Sequence, residues 1–224
     1  MANPPAAVVF DLDGTLLDTA PDLAGALNRL LADEGLPPLA LGTVREIVGE
    51  GAVRMIERGL AAAGAATDGP LDADLRRRFL DHYRACMTER TRPFPGAVRA
   101  LEELSAKGRP LAICTNKSHG FSAAILAELG LEKFFGALIG GDSLATNKPD
   151  PAPLHAAIAG VGGTPERAVM IGDSITDVGA ARAAGVPVIV VSFGYTSIAP
   201  RALGADAVID HFDELLPALA AIEG

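Results

Sequence analysis

The sequence predicts an α/β fold, a Rossmann-like parallel sheet core carrying a small inserted all-helical cap domain. Three observations predict it. Short apolar runs rich in β-branched residues recur along the chain. Most are followed by a helical pattern with a legible end, the rhythm of a parallel sheet covered on both faces. Between the first run and the second, about 75 residues carry helix signals and no convincing strand, which breaks that rhythm once.

The first strand is AAVVFD, from Ala6. In the stretch that follows, Leu23, Leu27, Leu30 and Leu31 share one face of a helix that Pro21 helps to start and Gly35 ends. Further on, Leu75, Phe79, Tyr83 and Met87 repeat every four residues, so the insertion can bury a small core of its own. Its boundaries fall at Leu16 to Thr19 and in the segment TRPFPG from Thr91, giving residues 1–18 and 92–224 to the core and 19–91 to the cap. These crossings are the expected hinges. Then come a helix with Val98, Leu101 and Leu104 closed by Gly108, the strand PLAIC from Pro110, and a helix with Ile125, Leu126 and Leu129 closed by Gly130. The strands ALIGG from Ala137, AVMIG from Ala168 and VPVIVV from Val186 follow, with a helix over Asp177 to Ala184 stopping at Gly185.

Composition narrows the function classes. Among 224 residues, 19 are Lys or Arg and 28 Asp or Glu, a net charge of −9 that argues against nucleic acid as a partner. The two cysteines, Cys86 and Cys114, exclude a disulfide framework and fit a reducing cytoplasm. The first ten residues carry no basic leader, and the longest uncharged window, Ala183 to Pro200, is broken by Gly185, Pro187 and Gly194. Neither export nor a membrane partner is expected.

Four segments carry chemistry. In VVFDLDGTLLDT, Asp11 and Asp13 lie two apart where a strand runs out into a glycine turn, and period-two geometry points both carboxylates one way. A lone D-x-D-G is as often a solvated turn. LAICTNKS ends its strand in Thr115 and Asn116, GGDSLATNKPDPAP places Lys148 in a proline-restrained loop, and AVMIGDSITD puts Asp173 after a strand with Ser174 and Asp177 beyond it. Singly, these read as helix caps or a surface lysine. Together they are four polar groups at four strand ends, where open parallel sheets bind ligands. Carboxylates about 4 Å apart repel by roughly 4 kcal/mol at an effective dielectric of 20, so the cluster calls for a cation. All the candidate ligands are hard oxygens and the four histidines are scattered, which makes Mg²⁺ the natural occupant.

In this order the segments resemble the four motifs of the haloacid-dehalogenase-like hydrolases: Asp11-Leu12-Asp13-Gly14-Thr15, Thr115, Lys148, and Gly172-Asp173-Ser174 with Asp177. The resemblance implies that Asp11 is a nucleophile forming an aspartyl-phosphate and that Asp13 is the general acid and base. It implies that Thr115 and the amide of Asn116 hold phosphoryl oxygens and that Lys148 offsets charge. Mg²⁺ would be held by Asp11, the backbone carbonyl of Asp13, and Asp173, with Ser174 and Asp177 behind them. A carboxylate at Asp13 points to phosphate esters, since the dehalogenases and phosphonatases lack one.

VVFDLDGTLLDTAPDL, ICTNK, GGDSLATNKPDPAPL and AVIDHFDELLPAL are similar to the phosphoglycolate phosphatase subgroup, the last as its final strand and closing helix. This implies hydrolysis of 2-phosphoglycolate, a small phosphorylated substrate, by a monomer or homodimer. The alternatives are another small ester such as a sugar phosphate, a phosphosugar mutase, or a non-catalytic phosphate-binding module. In VGEGAVRMIERGL, Glu50 and Val53 depart from the subgroup's Asn and Asp, and Ser118 stands where a proline commonly follows TNK. Gly51 and Arg54 are the expected cap contacts to the substrate, Gly51 by close backbone approach and Arg54 as the nearest cation for its carboxylate.

Overall fold

The computed structural model describes residues 6–65 and 69–224. Residues 1–5, the start of the segment read as lacking a leader, and residues 66–68, within the stretch read as helical insertion, lie outside the described residues.

The strands are β1 (Ala7–Phe10), β2 (Leu17–Asp18), β3 (Arg92–Pro93), β4 (Leu111–Cys114), β5 (Ala137–Ile139), β6 (Ala168–Gly172), β7 (Val188–Val191) and β8 (Ala207–Ile209). Six of them form one parallel sheet in the order β5-β4-β1-β6-β7-β8. β1 is central and fully buried, with Val8 opposite both Leu111 and Val169. Period-two alternation sorts its side chains between two apolar layers. Val8 and Phe10 join Ile113, Ile171 and Ile189 on one face; Ala7 and Val9 join Ala112, Met170 and Val188 on the other. A parallel sheet needs both faces covered.

The insertion supplies α1 (Ala20–Asp33), α2 (Leu41–Ile47), α3 (Ala52–Ala62) and α4 (Ala73–Arg84). The remaining helices are α5 (Ala97–Ala106), α6 (His119–Glu128), α7 (Ala152–Gly160), α8 (Ile175–Ala184) and α9 (Leu215–Glu223). Leu154 and Ile158 of α7 and Val178 and Ala181 of α8 cover one face of the sheet. Leu101 of α5, Ile125 of α6 and Leu219 of α9 cover the other. Leu23, Leu27, Leu30 and Leu31 of α1 meet Phe79 and Tyr83 of α4, and this interior is continuous with that second face. Among the described residues, no helix is long and apolar enough to cross a membrane.

Three local expectations are corrected. No strand is expected between Ala20 and Pro95; instead β3 lies within that stretch and pairs antiparallel with β2, Leu17 opposite Pro93 and Asp18 opposite Arg92. Two residues are too short to show alternation, and a proline argues against a strand on sequence grounds. The crossing is further tied by the buried carboxylate of Asp22, which accepts from the N–H of Arg90 (3.0 Å) and from the N–H and hydroxyl of Thr91 (both 2.8 Å). Met87 lies beyond the end of α4, in a turn. Val98 is exposed, and Ala97, Ala100, Leu101 and Leu104 form the buried stripe of α5. Two of the four stripe positions are alanines, weakly apolar in sequence, and the larger Val98 stands beside them.

Candidate active site

The sheet order turns four distant segments into neighbours. Asp11 follows β1, Thr115 follows β4, Lys148 lies in the loop after β5, and Asp173 follows β6, adjacent columns of the sheet. The ladder continues one bond past the strands: the Asp11 N–H donates to the Ile171 carbonyl (2.9 Å) and the Thr115 N–H to that of Ile139 (3.0 Å). Site residues thus inherit the rigidity of the sheet edge.

Lys148, 4% exposed, places its Nζ 2.9 Å from Asp11 Oδ1 and 2.6 Å from Asp177 Oδ1. Asp177 Oδ2 accepts from the N–H groups of Asp173 (3.1 Å) and Ser174 (3.0 Å) and from the Ser174 hydroxyl (2.6 Å). It completes a capping box for α8 while anchoring the lysine, so one carboxylate serves both the helix N-terminus and the cluster. Asp173 accepts from the Thr15 hydroxyl (3.1 Å) and from the Tyr195 N–H (2.6 Å). Gly14, at φ 84°, lies so close that a Cβ there would sit 2.5 Å from Asp173 Oδ2 and 2.8 Å from the Tyr195 ring. Only glycine fits that turn.

Asp11, Asp173 and Asp177 each offer a carboxylate oxygen within 4.8 Å of the others, all buried. Burial is the main reason Asp11 is pushed up to about 6; Lys148 pulls it down and Asp177 pushes it up. Asp173 is raised well above the carboxylate range, first by burial and then by Asp177 and Asp11. Burial alone would lower Lys148, but Asp11 and Asp177 more than offset it and hold it charged. Asp11 Oδ1, although close to Lys148, is enclosed and accepts no hydrogen bond of good geometry. Three buried carboxylates against one ammonium leave negative charge uncompensated, and the donor set is hard oxygen. These residues fit a small divalent cation.

Asp13 departs from the expected arrangement. It faces the same cavity as Asp11, but its carboxylate stands outside the acidic cluster. Both its oxygens lie 3.2 Å from Lys117 Nζ, and Oδ1 accepts from the Thr19 hydroxyl (2.7 Å). Alternation continues past the strand, with Leu12 in the layer of Val8 and Phe10, but the chain turns there, the Leu12 carbonyl accepting from Leu16 and Leu17, and Asp13 is carried away from the cluster.

Above this floor is a cavity of about 210 Å³ walled by Gly49–Val53 and Met55, by Arg76, Phe79, Leu80 and Tyr83 of α4, and by Thr115–Ser118. Gly51 lines it as expected, at φ 88°, and a Cβ there would lie 3.3 Å from the Asn116 carbonyl. The Asn116 side chain has a role the sequence did not suggest. Its Nδ2 donates to the carbonyls of Gly49 and Lys148 (both 3.1 Å), and its Oδ1 accepts from the Lys148 N–H (3.0 Å).

Arg54 is not among the residues brought together here. It is turned to solvent, 3.0 Å from Glu57, in a surface groove with Glu50 and Arg58, outside the cavity wall. One helical step carries it past Val53, which does line the cavity. Sequence reasoning assigned no role to Lys117, Thr15 or Tyr195. The first two stood inside the motifs quoted, at a strand end and in the glycine turn. Tyr195 follows β7, and only its strand-end position signalled it; its hydroxyl donates to Asp18 (2.5 Å) and accepts from the Ala20 N–H (2.9 Å).

The family described as haloacid dehalogenase-like hydrolase matches residues 5–185. A phosphoglycolate phosphatase of Caulobacter vibrioides is 51% identical over 207 residues, 92% of this chain and 87% of the relative. One from Mesorhizobium japonicum is 45% identical over 213 residues, 95% of this chain and 94% of the relative. A solved structure from Haemophilus somnus 129pt, described as a predicted phosphoglycolate phosphatase, superposes with a TM-score of 0.89 at 31% identity, covering 98% of this chain and 100% of that one.

Proposed function

The chain belongs to the haloacid dehalogenase-like hydrolases, and from that premise we propose that it is a Mg²⁺-dependent phosphatase hydrolysing 2-phosphoglycolate to glycolate and phosphate. The observation that carries this is the buried joining of Asp11, Lys148, Asp173 and Asp177 at the floor of one small cavity, in a chain with phosphoglycolate phosphatases as relatives along nearly its whole length.

In this reading an Asp11 oxygen attacks phosphorus, and the bond from phosphorus to the glycolate oxygen breaks. Asp13 gives its proton to that leaving oxygen. Asp13 then takes a proton from water, the water oxygen attacks the aspartyl-phosphate, and phosphate leaves with Asp11 regenerated. The Thr115 hydroxyl and the Asn116 N–H donate to the phosphoryl oxygens, and Lys148 offsets the charge gathered on Asp11 and phosphate. Asp177 fixes Lys148 from one oxygen and the turn at Asp173 from the other. Asp11, Asp173 and the Asp13 carbonyl would hold Mg²⁺, which when bound neutralises charge so that a phosphate dianion can approach a carboxylate.

Residues 19–91 act as a cap that excludes bulk water and selects the substrate, moving at the β2–β3 crossing. Two free, buried cysteines support a cytoplasmic setting for a monomer or homodimer. The test is kcat/KM over a panel of phosphate monoesters, with Mg²⁺ and with chelator. We expect 2-phosphoglycolate to lead and chelation to abolish turnover. A preference for hexose phosphates, or full activity in chelator, overturns the reading.

A further inference from the structure

A cavity floored by carboxylates must still accept a substrate with two anionic ends. In 2-phosphoglycolate only one bridging oxygen and one methylene separate phosphorus from the carboxyl carbon. With phosphorus at Asp11, the carboxylate must find its partner close by. Among the described residues the cavity wall carries two cations, Arg76 and Lys117. Arg76 is exposed on α4, whereas the Lys117 side chain is 7% exposed and already beside Asp13.

Lys117 touches both halves of the site. Its Nζ reaches both oxygens of Asp13 and lies 4.5 Å from the centre of the Tyr83 ring, on α4. Lys117 engages both oxygens of Asp13 and Thr19 only Oδ1, so it is Lys117 that occupies Oδ2.

We propose that Lys117 is the specificity residue for the substrate's carboxylate, and that by exchanging Asp13 for that carboxylate it releases Asp13 to transfer protons. This rests on 2-phosphoglycolate being the substrate. A second carboxylate competes for one ammonium and at the same time repels Asp13, so binding and release are a single event. An ester with a neutral tail occupies the phosphate site and leaves Asp13 clamped. The tail therefore acts on kcat and not only on KM.

The experiment compares 2-phosphoglycolate with 2-hydroxyethyl phosphate, which has a hydroxymethyl group in place of the carboxylate, on the wild type, Lys117→Met and Lys117→Arg, with thermal melts to verify folding. For the wild type we expect the neutral-tail ester to lose about 100-fold, mostly in kcat. In Lys117→Met the kcat values for the two esters should converge to within about 3-fold, because Asp13 Oδ2 is freed whatever the tail and the carboxylate has no receiver; Lys117→Arg should keep part of the gap. A wild-type difference lying wholly in KM, or a kcat gap unchanged in Lys117→Met, overturns the exchange and leaves the phosphatase reading standing. A wild type indifferent to the carboxylate overturns the substrate reading and this inference with it. Should Lys117→Met fail to fold, the wild-type split between kcat and KM decides alone.

Discussion

The floor and the roof of the cavity are built on opposite principles. On the floor, Asp11, Lys148, Asp173 and Asp177 are nearly inaccessible to solvent, and the sheet ladder or a capping box holds them. On the roof, charges on α3, α4 and the loop before α3 pair with one another in solvent: Arg54 with Glu57, Arg58 with Glu50, Arg77 with Asp74. Chemistry that needs a fixed charge field is placed where the backbone cannot relax. The helices above it carry surface pairs that are individually worth little. Substitutions should therefore separate the two regions by orders of magnitude.

The largest effect should come from Asp11→Asn, which keeps the shape and removes the nucleophile. We expect kcat to fall by at least about 10⁴-fold, with the melting temperature held or raised. Steady-state kinetics and a thermal melt check both, and wild-type turnover would break the comparison at its strongest point. Next is Lys148→Met, which strands Asp11 and Asp177 without their shared cation. A loss of about 3–5 kcal/mol in denaturant unfolding is expected, with near-complete loss of activity. A loss below about 1 kcal/mol would show that the floor is not held by charge pairing.

The third prediction concerns pH in protein stripped of metal. The Asp11 carboxyl has a folded value of about 6 against an ordinary 3.8, and Asp173 is raised as well. Folding therefore takes up protons between those values, so this contribution to stability is lost as pH rises from about 4 to about 6. Melts of wild type and Asp11→Asn across that range in chelator should diverge as pH rises, the variant becoming relatively more stable. Added Mg²⁺ should close the difference, and parallel curves would contradict the buried, uncompensated charge. The smallest effect belongs to the roof: Arg54→Ala should alter kcat/KM for 2-phosphoglycolate by less than about 2-fold, because its charge is spent on an exposed pair. A tenfold loss would return Arg54 to the substrate and blur the two regions.

The floor was legible for the reason that makes it rigid. A buried strand is a continuous apolar run, and the first polar residue after it marks a sheet edge, so Asp11, Thr115 and Asp173 could be found from sequence. What they touch could not be found, because partners on a sheet edge come from strands far apart in the chain. Tyr195 supports Asp173 across 22 residues and Lys117 holds Asp13 across 104. The roof was less legible because helical spacing gives a face but not which way that face is turned. Arg54 illustrates this: one residue after Val53, it is rotated out of the cavity that Val53 lines. β2 and β3 escaped notice because two residues carry no period at all.

The β2–β3 pair bears on how the chain can be rearranged. Because the chain leaves the sheet and returns to it side by side, with Leu17 opposite Pro93, the helical stretch between them can be exchanged for another without changing the order or connectivity of a single strand of the sheet. The residues of the floor, all carried on the sheet side of that pair, keep their places whichever segment fills the gap.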